Sequence, residues 1–341
     1  GLIMPSKARK IAAQASSNIT GRRNLLINGD MRICQRTTGT SGKGAAAGYF
    51  VQDRWRIGTG GTNEGRFTMG RDTESPDNFA FSMKIDCTTA ESTVGADEYL
   101  LIQQRLEGLN CQQLKMGTSD AEAVTVSFWV RSPKTGVHTV SLYKKDDADG
   151  NNRLISSTYT VASANTWEYH SCTFPGDTTG AIPNDDSEGF ALWFWLLAGS
   201  DRTSGTFATS WEAFTTANAC NSSQVNVLDS TDNIFYLTGC QLEMGNSPTS
   251  FEFEEYAESF ERCKRYYFSY VGTKYGQRYS TSAGFINLEF PREMRAAPSL
   301  TSYSAVRTTT GLGYYTNKRH HQTLMTATNP YISNAVLDSE I

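Results

Sequence analysis

Residues 123–131 read AVTVSFWVR, with Val124, Val126, Phe128 and Val130 at alternate positions and Thr125, Ser127, Trp129 and Arg131 between them. A repeat of two is that of a strand buried on one face. Val137–Lys145, LISSTYTV, WEYHSCTF and FALWFWLLAG continue as short strands, and NIFYLTGCQLEMG at 233–245 reads as the last of the set. The connections are rich in Gly, Pro, Asn and Asp, as in DDADGNN at 146–152 and PGDTTGAIPNDDSEG at 175–189. Those residues tolerate positive φ or preset a turn. Upstream, NLLINGDMRI carries a turn signal at Asn28-Gly29, followed by a Gly-, Ser- and Thr-rich loop at 37–48 and YFVQDRWRI. Many short strands with turn-rich connections predict an antiparallel sandwich or barrel.

The period then changes. Tyr256, Phe260, Cys263 and Tyr267 stand at i, i+4, i+7 and i+11, one stripe of a helix over about 255–267. Glutamates 252, 254, 255 and 258 precede Arg262, Lys264 and Arg265, the order the helix dipole favours, and Glu258–Arg262 and Glu261–Arg265 have pairing distance in sequence. Strands resume in YYFSYVG, GFINLEFP and around SLTSYSAV, punctuated by Pro291 and Pro298. The division expected is a basic, small-residue connector at 1–22, a β-sandwich at 23–253, and a short helix with a small β-rich tip at 254–341. A unit as small as the tip has marginal core of its own, which oligomerisation remedies.

Charge narrows the function classes. With 31 Lys and Arg against 35 Asp and Glu, the net charge is -4, which argues against sequence-independent nucleic-acid binding. No apolar run reaches the ~18 residues of a membrane span. The seven cysteines, at 34, 87, 111, 172, 220, 240 and 263, are scattered singly, without zinc-site or disulfide-framework spacing, and are expected as reduced, mostly buried thiols. Catalytic motifs of the GxSxG, HExxH and P-loop kinds are absent from the sequence. His138 and His170 fall in predicted strands as structural or surface residues, and His320-His321 in a predicted loop. Asp146, Asp147, Asp149 and Asn151 resemble an oxygen-rich calcium loop, but without the downstream glutamate of an EF-hand they read as a hairpin turn.

Several segments, taken in order, resemble one family. NLLINGDMRICQR, the Gly-rich loop and DRW resemble the start of a jelly-roll module common in bacteriophage tail-fibre and receptor-binding proteins. VTVSFWVRS with its Thr-Gly turn, W-x-Y-x-S-C-T-FPGDTTG from Trp167, GCQLEMGNSPTSFE at 239–252, and ESFERCKRYYF followed by GFINLEFPREMRAAPSL extend the resemblance over residues 24–300. The jelly roll is itself similar to carbohydrate-binding modules of secreted glycosidases. The last ~40 residues lie outside the resemblance, as specificity-bearing tips often do.

The resemblance implies a mainly β fold: an antiparallel jelly-roll β-sandwich, then a short helix and a small β-rich C-terminal domain. It implies a non-enzymatic fibre protein of the virion that binds host cell-surface glycan. It also implies a homotrimer joined to other virion proteins through the N-terminal connector, without membrane insertion and without a nucleic-acid partner. No cofactor is implied; similar jelly rolls hold a structural calcium ion, for which no ligand set can be picked out. The alternatives are a structural virion component such as a capsid-decorating fibre or spacer, a polysaccharide depolymerase, and the binding module of a bacterial glycosidase.

Aromatic side chains are the candidates for contact, because sugar rings stack on flat aromatic faces while polar neighbours take the hydroxyls. Trp193 and Trp195 share one face of a strand whose other face, Phe190, Leu192, Phe194 and Leu196, is also apolar, so core packing is expected of them. Trp129 and Arg131, on the polar face of their strand, are the candidate site in the sandwich. Tyr303, Tyr314, Tyr315 and Tyr331, set among Thr, Asn, Lys and Arg, are the candidates in the tip, where a small core or a subunit interface is the competing role.

Overall fold

The computed structural model describes residues 22–145, 152–278, 284–306, 314–325 and 331–341. The first strands are β1 (Gly39–Lys43), β2 (Gly48–Tyr49), β3 (Arg56–Gly60), β4 (Arg66–Asp72), β5 (Ser82–Thr89) and β6 (Tyr99–Glu107). Then come β7 (Val124–Arg131), β8 (Gly136–Lys144), β9 (Arg153–Val161), β10 (Glu168–Phe174), β11 (Glu188–Ala198), β12 (Glu212–Ala213) and β13 (Ile234–Met244). They make a six-stranded sheet in the order β1-β4-β5-β13-β7-β10 and a seven-stranded sheet in the order β12-β9-β8-β11-β6-β3-β2. The ladders are antiparallel, and the two sheets stack as a jelly-roll sandwich.

The alternation in β7 decides how the layers meet. Val124, Val126, Phe128 and Val130 are fully buried and face the seven-stranded sheet. Phe190, Leu192, Phe194 and Leu196 of β11 face them and are equally buried. The Phe128 ring bridges the layers, edge-on to Phe194 at 4.8 Å and to Tyr159 at 4.9 Å. Each such side chain taken from water contributes about 1.5–3 kcal/mol. The NLLINGDMRI segment folds as a clasp around its Asn28-Gly29 turn. Asn28, at φ 59°, donates from Nδ2 to the Ile33 and Asp53 carbonyls, and its own carbonyl accepts the buried Trp55 indole N–H at 2.9 Å. Six of the seven cysteines are buried, Cys34 is half-buried, and all seven are free thiols.

The helix is shorter than its stripe predicts, running Tyr256–Lys264. Cys263 is its buried apolar anchor and Tyr256 is exposed, while Tyr267 opens the next strand. The expected i, i+4 pairs also differ. Arg262 reaches back to Glu254, Lys264 pairs with Glu261, and Arg265 leaves the helix to grip Glu107 of β6 with two hydrogen bonds, 2.8 and 2.6 Å. A buried carboxylate outcompetes an exposed one for a guanidinium, because the alternative for Glu107 is an unpaired buried charge.

Beyond the helix lie β14 (Tyr267–Tyr275), β15 (Gln277–Arg278), β16 (Gly284–Glu289), β17 (Ser299–Val306), β18 (Tyr314–Thr316), β19 (His320–Met325) and β20 (Tyr331–Asp338). They form two small sheets, β14-β20-β17 and β15-β16-β19-β18. His320 and His321 begin β19, paired with Glu289 and Leu288 of β16, instead of lying in a loop. Asp146, Asp147, Asp149 and Asn151, read from the sequence as a hairpin turn, lie outside the described residues, as does the connector up to residue 21.

An ionic seam fastens these small sheets to the sandwich. Arg54, in the left-handed region at φ 71° and only 1% exposed, pairs with Glu340, donates to the Arg105 carbonyl and lies over the Tyr266 ring at 3.4 Å. Burial works against its charge, but Glu340 together with Tyr266, Tyr49 and Cys263 outweighs that and raises its pKa. Tyr266 donates its hydroxyl to Glu107. Arg36 lies over Tyr267 at 3.7 Å and reaches Asp338 at 3.3 Å and Glu340 at 3.4 Å. Beside it, burial pushes the Asp53 carboxyl up to about 6 even though Gln35 donates two hydrogen bonds to it.

Two outcomes are expected. Removing one partner of a buried ion pair costs about 3–5 kcal/mol, so Glu340→Gln should destabilise the chain by that amount in urea unfolding and raise amide exchange in β20. In the sandwich core, His138 stacks on Tyr159 at 5.1 Å, and burial, with a smaller push from His170, lowers its pKa from 6.5 to about 4. The unfolded chain therefore binds the extra proton between those values, and the folded chain loses stability as pH falls from 6.5 to 4. That share is about 3 kcal/mol and should vanish from the difference between wild type and His138→Gln when unfolding is followed across that range.

Candidate functional site

The outward residues of β7 fall into rows across the six-stranded sheet. The register sets Tyr169 of β10, Trp129 of β7 and Thr238 of β13 side by side. One step along, Arg131 stands beside Tyr236, and Tyr236 beside Lys84 of β5. Directly opposed residues on one face lie within side-chain contact, so the rows are physical neighbours. Trp129 and Tyr169 have ring centroids 5.4 Å apart, Trp167 and Tyr236 are 6.0 Å apart, and the Arg131 guanidinium is 5.3 Å from the Tyr236 ring. Tyr169 is 45% exposed, Trp129, Trp167 and Arg131 are half-buried, and Tyr236 is buried.

Polar groups border the rings. Glu74, from the turn after β4, accepts the Trp167 indole N–H at 3.1 Å and lies 4.0 Å from Arg131. Arg131 donates from Nε to the Asn165 carbonyl at 2.9 Å. Lys84 sits 3.0 Å from Asp86 and 3.8 Å from Asp72. Its partial burial opposes its charge, but the hydrogen bond and charge of Asp86 prevail and raise its pKa. Burial raises the Tyr236 hydroxyl, against the opposing charge of Lys84, which keeps it a neutral donor.

A bulge in β13 makes room for this surface. The register slips between Thr238 and Gln241, and Gly239 adopts φ 61°. A Cβ there would stand 2.7 Å from Phe79 and 3.0 Å from Trp129, so only glycine lets the two rings close over the strand. Phe79 continues the apolar strip to Phe251 at 5.1 Å and Phe253 at 5.3 Å. The other half of the face is shut. Thr125 donates to the Gly245 carbonyl, and Glu243 accepts the Thr249 amide and hydroxyl, which buries Thr125 and Ser127 under residues 245–250.

The sequence candidates do not converge on one place. Trp129 and Arg131 belong to the aromatic face just described. Tyr331 begins β20, half-buried, with its ring 5.9 Å from that of the exposed Tyr275. Tyr303 lies in β17 of the same small sheet as Tyr331, whereas Tyr314 and Tyr315 lie in β18 of the other, and the side chains of these three lie outside the described residues. Sequence reading missed Tyr169, Trp167 and Tyr236 as partners of Trp129. The signal available was the outward phase of Tyr169 in β10 and Tyr236 in β13, with Trp167 just before β10, which becomes useful only once the strand order is known. Trp193 and Trp195 lie on the outer face of the seven-stranded sheet. Trp195 is buried beneath residues 208–220 and donates to Ser141 at 2.9 Å; Trp193 is half-buried and stacks on Tyr143 at 4.7 Å. Among the described residues there is no group of three or more His, Cys, Asp or Glu arranged to hold a metal ion, and no helix is long and apolar enough to cross a membrane.

No protein-family model matches the chain, and no curated protein matches it. Among solved structures it is similar to the enzymatically active domain of tailspike protein 4 of bacteriophage CBA120, with 10% identity and a TM-score of 0.32 over 65% of this chain and 21% of that one. It is also similar to a carbohydrate-binding module, TmCBM61, in complex with β-1,4-galactotriose, with 10% identity and a TM-score of 0.29 over 65% of this chain and 99% of that one. A third is the family 11 carbohydrate-binding module of a cellulosomal cellulase of Clostridium thermocellum, with 11% identity and a TM-score of 0.31 over 58% of this chain and 91% of that one.

Replacing Gly239 by alanine should disturb this surface first. Left-handed backbone at a non-glycine residue and the clash with two rings together cost about 2 kcal/mol or more, read as a lowered urea midpoint; an unchanged midpoint would mean that the bulge is not required.

Proposed function

We propose that the chain is a non-enzymatic bacteriophage fibre protein that binds host-surface glycan on the open aromatic face of its six-stranded sheet. The observation that carries this reading is the double row of Tyr169–Trp129 and Trp167–Arg131–Tyr236, bordered by Glu74 and Lys84. Flat rings held by sheet register offer stacking surfaces to the C–H faces of sugars. The ionic groups around them offer donors and acceptors to hydroxyls. The face is shallow, so each contact is weak and copy number supplies the strength: linking several sites raises avidity by ~10²–10⁴. A homotrimer fits this need. The edge strand β14 leaves Val271 83% and Tyr275 74% exposed, apolar surface that neighbouring copies would cover. The connector at 1–22 would join the fibre to other virion proteins.

The test is titration of purified chain with polysaccharide fragments from host cells, alongside cell labelling. Tyr169→Ala and Trp129→Ala should each weaken binding about tenfold or more, with the melting temperature of the exposed Tyr169→Ala variant unchanged. Labelling equal to wild type in both variants would remove this face from the account. Absence of any labelling would favour a structural spacer, and release of reducing ends a depolymerase; either result overturns the reading.

A further inference from the structure

A cleft of about 780 Å³ opens where the sandwich meets the C-terminal sheets. That volume lies within the ~300–1,000 Å³ of small-molecule sites. Its floor is the end of β6 with Leu25, Ile27 and Arg54, one wall is the end of the helix, and Arg22 and Arg292 stand among the lining residues. It shares no residue with the aromatic face.

The lining is unevenly charged. Six arginines, Arg22, Arg54, Arg105, Arg262, Arg265 and Arg292, face two glutamates, Glu107 and Glu293. Some of these cations are matched. Arg54 has Glu340, Arg265 takes both oxygens of Glu107, and Arg105 lies 3.4 Å from Glu188. Others share a partner or lack one. Arg22 and Arg262 converge on one oxygen of Glu254, whose other oxygen is buried without a hydrogen bond, and Arg22 also lies 3.7 Å from Glu258, which is largely exposed. The Arg262 pKa is lowered by burial and then by the charge of Arg22. Arg292 is exposed and has no hydrogen bond or ion pair among the described residues, while its neighbour Glu293 is taken by Arg319 at 2.9 Å. At the floor, the buried Nε–H of Arg54 finds no acceptor in the protein.

We propose that this cleft binds an anionic saccharide, one that carries a carboxylate or phosphate group. The oxyanion sits between Arg22, Arg262 and Arg292. The amides of Asn110 and Gln113 and the side chain of Leu109, all lining the cleft, serve the rest of the sugar. The chain's own residues 1–21 do not supply the anion, since they contain Lys7, Arg9 and Lys10 and no Asp or Glu.

The full chain is titrated calorimetrically at low salt with trigalacturonate, with neutral galactotriose and with inorganic phosphate. Trigalacturonate should bind, weaken as salt rises, and lose about tenfold in affinity in the Arg22→Gln/Arg292→Gln variant, both positions being solvent-accessible. The melting temperature of that variant should match wild type. Trp129→Ala should leave this binding unchanged, which separates failure here from failure at the aromatic face. Phosphate bound with the same salt and variant dependence upholds the site and identifies the phosphoryl group as what it reads. Absence of binding by both anions at millimolar concentration overturns the proposal. So does binding that persists unchanged in the double variant, or neutral galactotriose bound as well as trigalacturonate in a variant-sensitive way.

Discussion

Everything on the surface of this protein follows from the burial of both inward sheet faces. Phe128, Phe194 and Tyr159 interlock between the layers, and the period of a strand then sends every second residue outward. An outward face must be covered or left to water, and the chain does both. Residues 208–220 roof the seven-stranded sheet over Trp195 and Leu154. Residues 245–250 roof half of the six-stranded one. What remains is the strip around Trp129, open because no described segment lies over it and aromatic because β7, β10 and β13 place rings in the same phase.

The second organising feature is electrostatic. The C-terminal sheets meet the sandwich through arginines that are buried, stacked on tyrosines and paired with carboxylates from the opposite side of the junction. Arg54 with Glu340, and Arg265 with Glu107, are costly to desolvate and costly to break. They fix the orientation of the two parts, which apolar contact alone would leave loosely specified. The same concentration of guanidinium groups leaves a surplus at the cleft. Structural glue and candidate anion site are thus two aspects of one arrangement: fully paired arginines hold the junction, and Arg22, Arg262 and Arg292, which share a carboxylate or have none, line the cleft.

Sequence pattern determined the strands and their inward faces. The alternation in AVTVSFWVR assigned Val124, Val126, Phe128 and Val130 to the core and Trp129 and Arg131 to the other side, and the double-sided apolar run in β11 marked a strand buried on both. Periodicity is a local property, so a single chain carries it. The helix was legible for the same reason, but its end was not. Tyr267 continues the helical stripe in sequence yet enters β14, because pairing with Asp338 satisfies its backbone better than another turn of helix.

Partners across the fold were decided only by tertiary structure. Nothing in the sequence sets Trp129 beside Tyr169, Arg131 beside Tyr236, or Gly239 beneath two rings, because strand order and the bulge in β13 are long-range facts. The tip tyrosines show the reverse: they cluster in sequence but divide between two sheets. Residue type and spacing thus fixed which side chains reach the surface. Which of them stand together, and where charge is left unmatched, depended on contacts between segments distant in sequence, as far apart as Arg54 and Glu340.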